Sequence, residues 1–112
     1  MTATNGSNAQ NGSKHAYLYM LHPVRSTFTH DITPDEAMIM QAHFGYLKDL
    51  LSAGVLVVGG PCTDDGGAIA VAVIEAKNDA AAQAIVANDP AVKQGLAKPE
   101  LHPFRLSLVR AG

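Results

Sequence analysis

Residues 55–76 read VLVVGGPCTDDGGAIAVAVIEA, and the order of elements in the chain turns on them. Two apolar, valine-rich runs at 55–58 and 68–75 flank Gly59-Gly60-Pro61 and Asp64-Asp65-Gly66-Gly67, which is turn chemistry. The runs therefore pair as an antiparallel hairpin. Upstream, Thr33-Pro34-Asp35-Glu36 marks a helix start: the threonine caps free N–H groups, proline loses nothing at the first helical position, and Glu36 closes a capping box. That helix is expected over 34–52, stopped by Gly54, a residue suited to the left-handed turn after a helix end. Before it, AYLYMLH at 16–22 alternates Tyr17, Tyr19 and Leu21 against Leu18, Met20 and His22, a strand period, and residues 23–32 read as a loop. Downstream, Asn78 or Asp79 caps an Ala-rich helix to about 87. Asp89-Pro90 breaks it and opens one short turn to 96, and 103–110 alternates Phe104, Leu106 and Leu108 against Arg105, Ser107 and Val109 as a last strand.

The order β-α-β-β-α-β predicts an α+β, ferredoxin-like fold: a four-stranded antiparallel sheet with two helices on one face. The other face is then uncovered. Both phases of the strand runs are apolar, and charged residues make up only 16% of the 112 residues, which is low for a soluble domain. A sheet apolar on both sides calls for a second sheet on its open face, so a homodimer packed face to face is expected. Residues 1–14 contain no aliphatic side chain larger than alanine except Met1 and read as a disordered tail, leaving 15–112 as one domain.

Composition removes several function classes. Eight Lys plus Arg against ten Asp plus Glu leave a formal charge of −2 and no basic footprint for nucleic acid. No apolar run approaches the ~18–20 residues of a membrane span. Cys62 is the sole cysteine and no Cys/His cluster has zinc spacing, so neither a disulfide nor a metal is expected. With no secretory signal pattern, the expected location is the cytoplasm.

On a helical wheel, Ile39, Met40, Phe44, Leu47, Leu50 and Leu51 form the apolar stripe of the first helix, about 140° wide, and His43 falls inside it. A histidine there is either a core residue satisfied by a backbone carbonyl or a base suited to proton transfer near neutral pH. Asp89 reads as the cap of the turn at Pro90. If the two helices lie side by side, the same carboxylate also orients the His43 imidazole. Arg25 in the first loop is either a solvated charge or a clamp for a substrate carboxylate. His22 ends the first strand and is placed with His43 along one cavity. Gly60 offers backbone N–H groups to a ligand, and Phe44 and Phe104 are counted with these as substrate-contacting positions.

The Tyr-rich first strand, His43-Phe44-Gly45-Tyr46-Leu47, Gly59-Gly60-Pro61, Asn88-Asp89-Pro90, Gly95-Leu96 and Pro103-Phe104, in this order and spacing over about residues 16–109, resemble the YCII-related (YciI-like) family. The resemblance implies a dimeric α+β barrel and a His-Asp pair carried by His43 and Asp89. It also implies relatives that act on chlorinated or hydroxylated ring compounds, and barrel relatives that are isomerases and monooxygenases. Ala91 stands where the family often has an aromatic residue after Asp-Pro, which implies a wider pocket. The expected function is a lyase or isomerase in which a His-Asp dyad moves a proton on a small cyclic or unsaturated metabolite. No cofactor motif is present, so none is expected. The alternative is a non-catalytic protein that binds a small ligand in support of a pathway enzyme.

Overall fold

The structure is a computed structural model, and residues 14–64 and 68–111 are described. All but one residue of the expected tail, and the Asp65-Gly66-Gly67 part of the hairpin turn, lie outside the described residues. Elements follow as β1 (His15–Pro23), α1 (Pro34–Ser52), β2 (Leu56–Pro61), β3 (Ala70–Ala76), α2 (Asp79–Ala87), α3 (Pro90–Lys93) and β4 (Ala97–Phe104). The strands form one sheet in the order β2-β3-β1-β4, every neighbouring pair antiparallel. This is the ferredoxin-like arrangement.

Strand alternation assigns the faces. Tyr17, Tyr19 and Leu21 of β1 and Ala72, Ile74 and Ala76 of β3 join Ala82 and Val86 of α2, Ala91 of α3 and Ala97 of β4 in the core. Alanine at five of these ten positions lets α2 and α3 approach the sheet closely. Leu21 and Ile74, at most 1% exposed, each contribute about 1.5–3 kcal/mol by leaving water. The opposite phase, Leu18, Met20 and His22 of β1, Val71 and Val73 of β3 and Val58 of β2, occupies the open face.

Local chemistry sets the ends of the helices. The Thr33–Glu36 capping box is complete: Glu36 N–H donates to Thr33 Oγ1 (3.1 Å) and Thr33 N–H to Glu36 Oε1 (2.9 Å). After α1, Gly54 takes φ +78°, where a side chain would be strained, and Val55 N–H returns to Leu50 O at 2.9 Å. Asn78 caps α2 by accepting from Ala81 N–H at 2.8 Å.

Two expectations are corrected. The last strand is Ala97–Phe104 rather than 103–110. Pro99 and Pro103 conceal it, because proline is excluded from central strands, but β4 pairs only with β1 and an edge strand tolerates it. The alternation after Phe104 finds no partner strand among the described residues, and Leu108 is 96% exposed. The buried stripe of α1 is also narrower than the wheel implies: His43 is its buried residue, whereas Phe44 is 60% and Leu51 56% exposed. Phe44 instead lies beneath the Lys48 ammonium, 5.3 Å from its ring centre.

The loop between β1 and α1 is clasped by Arg25. Its guanidinium donates to Glu36 Oε2 (2.8 Å), Glu36 Oε1 (2.9 Å) and Asp31 Oδ1 (3.0 Å), and Thr27 Oγ1 donates to Asp31 Oδ2 (2.8 Å). The Arg25 hydrogen bonds hold the Glu36 carboxyl down at about 2. A carboxylate depressed by folding contributes stability that is complete above its unfolded value near 4.5 and is lost as pH falls through its folded value. Arg25→Met is therefore expected to lower the melting temperature at pH 7, with the deficit shrinking as pH falls from about 4.5 towards 2. Melting curves of both proteins across that range check it.

Candidate functional site

Asp89 follows α2, at the point where the chain turns into α3. It is completely buried, and its carboxylate accepts from three donors. Ala91 N–H reaches Oδ1 at 2.9 Å, which makes Asp89 the cap of α3, and the Tyr19 hydroxyl reaches Oδ2 at 2.8 Å. His43 Nδ1, from the middle of α1, lies 2.8 Å from both oxygens. One side chain thus joins β1, α1 and α3.

The proton positions follow from the donor inventory. An ionised carboxylate only accepts, so the neutral His43 ring must carry its proton on Nδ1, and its lone pair sits on Nε2. Among the described residues Nε2 has no hydrogen-bond partner, although the residue is only 5% exposed. Buried ring nitrogens are normally satisfied. The imidazole is thus oriented by Asp89, with the Nε2 lone pair pointing away from the carboxylate.

Tyr19 is absent from the site residues expected on sequence grounds. Burial raises its pKa first, and the Asp89 charge raises it further, so the phenol stays protonated and donates. A signal for it exists, since a tyrosine in the inward phase of a strand needs a partner for its hydroxyl. Tyr46, one turn beyond Asp89's partner on α1, is likewise raised by burial and then by the Asp89 charge, and its hydroxyl donates to Ile85 O at 2.6 Å.

The other expected residues stand apart, and none hydrogen-bonds to His43 or Asp89. His22 belongs to the open phase of β1, opposite to Tyr19, so it does not share a cavity with His43 as expected. Its Nε2 lies 2.7 Å from Glu100 Oε1, and His102 Nε2 lies 2.6 Å from Glu100 Oε2. Those two imidazoles, His102 first, lower the Glu100 pKa. The Arg25 guanidinium is engaged by Asp31 and Glu36 rather than left open for a substrate carboxylate. Gly60 lies opposite Val71 on edge strand β2, and Phe104 opposite Ala16 at the end of β4. Among the described residues no group of three or more His, Cys, Asp or Glu side chains is placed to hold a metal ion, and no helix is long and apolar enough to cross a membrane.

Known families bear on this geometry directly. The model of the YCII-related domain matches residues 17–105, from the first core tyrosine to the end of the sheet. The chain belongs to the YCII-related family. No curated protein sequence matches it. Among solved structures, this YCII-related domain is similar to 5-chloro-2-hydroxyhydroquinone dehydrochlorinase from Burkholderia phenoliruptrix AC1100, in complex with 2,5-dihydroxybenzoquinone. The TM-score is 0.62 at 22% identity, over 80% of this chain and 93% of that one. At that identity the likeness is one of fold.

The three-donor arrangement has measurable energetics. Asp89→Ala removes the cap and strands two buried side chains, and is expected to cost about 3–5 kcal/mol. Tyr19→Phe leaves one carboxylate lone pair unsatisfied and is expected to cost about 1–2 kcal/mol. Urea denaturation of the two variants checks the order and the gap.

Proposed function

We propose that this YCII-related domain is a small enzyme in which His43, oriented by Asp89, transfers a proton on a small cyclic or unsaturated metabolite without a cofactor. The observation that carries the reading is the buried His43–Asp89–Tyr19 chain with its bare Nε2. The Nε2 lone pair takes a proton from a carbon or hydroxyl acid of the substrate. The bond pair left behind forms a new double bond, either expelling a leaving group or shifting along the ring. Asp89 stabilises the imidazolium for the lifetime of the intermediate and keeps the ring in the productive tautomer. Tyr19 keeps Asp89 in place. Burial excludes water from the pair, so the field of the carboxylate is not screened. Fold similarity to a dehydrochlorinase favours elimination on a hydroxylated, halogen-bearing ring as the first reaction to assay.

The test is turnover on halogenated hydroxyhydroquinones by the full chain. His43→Ala is expected to lower kcat by about 10²–10⁴, and Asp89→Asn to lower kcat more than it raises KM. Full activity in His43→Ala would remove the reading. Ligand binding without turnover in any variant would favour a non-catalytic binding protein.

The working form is proposed to be a cytoplasmic homodimer joined through the open sheet face. By strand alternation Leu18, Met20 and Val71 fall on that face around Val73, which is itself only 8% exposed, and Val58 on β2 is 59% exposed beside them. Val58→Asp changes a position outside the core, so the monomer keeps its fold while a charge enters the apolar patch. Sedimentation at micromolar concentration is expected to return a dimer for the parent chain and a monomer for the variant. A monomeric parent would refute the assembly.

A further inference from the structure

His22 and its surroundings form a constellation that the His43 reading leaves unused. A cleft of about 410 Å³ opens at the His22 end of the sheet, within the size range of small-molecule pockets. His22 lines it together with Val24, Ser26 and Thr29 from the β1–α1 loop, and Asp64 and Ile69 from the β2–β3 connection. The Arg25 clasp anchors the loop that supplies the first wall, at a position between Val24 and Ser26. Ile69 is tied back to the sheet by its N–H, which donates to Leu21 O at 2.7 Å, and Cys62 N–H donates to Ile69 O at 3.0 Å. Arg25 in the first wall and Ile69 in the second are thus each held by hydrogen bonds.

The lining has a definite chemical character. Glu100 accepts from His22 Nε2, so in the neutral ring the proton sits on Nε2 and the lone pair on Nδ1, which has no partner among the described residues. The polar residues that line the cleft are His22, Asp64, Ser26 and Thr29, which between them carry acceptors and two hydroxyls able to donate or accept. Its remaining walls are aliphatic. Among the described residues no lysine or arginine lines it, and Asp64 makes it unfavourable to anions. We propose that this cleft, at the end of β1 beyond its pairing with β3 and outside the patch assigned to the dimer, is a second small-molecule site, separate from His43, and that it takes an uncharged, hydroxyl-bearing molecule with a compact apolar body. Ligand hydroxyls donate to Asp64 and to His22, with Glu100 fixing the His22 tautomer.

The experiment follows the imidazole resonances of the full chain by NMR at about pH 7.5 during titration with catechol, using benzoate as an anionic probe of similar size. Catechol is expected to shift the His22 signal saturably while His43 stays unmoved. Asp64→Asn and Ser26→Ala, which change loop positions without touching the core, are each expected to weaken binding about tenfold, and benzoate to bind at least about tenfold more weakly than catechol. No saturation by ~10 mM catechol, equal affinity for benzoate, or indifference to the loop variants would overturn the proposal. A catechol response at His43 instead of His22 would overturn it too, while leaving the His43 reading standing. Retained catechol binding in His43→Ala, with turnover lost, would uphold both.

Discussion

A carboxylate taken out of water is held only if its lone pairs are met, and in this chain that requirement organises the side of the sheet where the helices lie. Among the described residues Asp89 has neither lysine nor arginine to meet it; it has a backbone N–H, a phenol and an imidazole. Each donor comes from a different element, so satisfying the charge fixes α1, α3 and β1 relative to one another. The small alanines of the core then matter for more than packing, because they let α2 and α3 lie close enough to the sheet for the Tyr19 hydroxyl to reach the carboxylate. In return the charge selects one tautomer of His43 and one protonation state of Tyr19. Stability and the proposed chemistry share the same four hydrogen-bonding groups.

Much of this is legible in the amino-acid sequence. The capping box at Thr33, the stop at Gly54 and the hairpin through residues 55–76 each rest on local chemistry, and local chemistry is what a sequence states directly. His43 and Asp89 are also visible there, one as a polar residue inside an apolar stripe and the other as an Asp-Pro cap, although their pairing needs the fold. What escapes is governed by tertiary context. β4 carries two prolines that only its place at the sheet edge permits. Phe44 and Leu51 fit an apolar wheel but point away from a sheet that α1 meets over a narrow contact. Tyr19 reads as core because its hydroxyl finds its partner 70 residues along the chain. The expected placement of His22 fails for a plainer reason: strand alternation puts residues 19 and 22 on opposite faces, and the period that identifies the strand already implies it.

The sheet separates two kinds of histidine environment. On the helix side, His43 is buried and its partner is buried with it. On the open side, His22 and His102 share Glu100 at a partly exposed site, where solvent screens the pairs and each contributes little to stability. Arg25 illustrates the same division. A lone arginine in a loop invites a substrate role, yet two nearby carboxylates of its own chain claim the guanidinium and turn it into part of the scaffold.

The prolines that hide β4 have a further effect on how copies of this chain behave when crowded. An exposed strand edge is a row of unmet N–H and C=O groups, ready to pair with another molecule. Along one rim, Pro99 and Pro103 delete N–H groups; along the other, β2 is interrupted by an irregular register between Leu56 and Val58 and ends at Pro61. Neither rim offers a straight, complete template for a fifth strand. The sheet is thereby guarded against growth by strand addition, a hazard for a short chain with valine-rich strands and little charge.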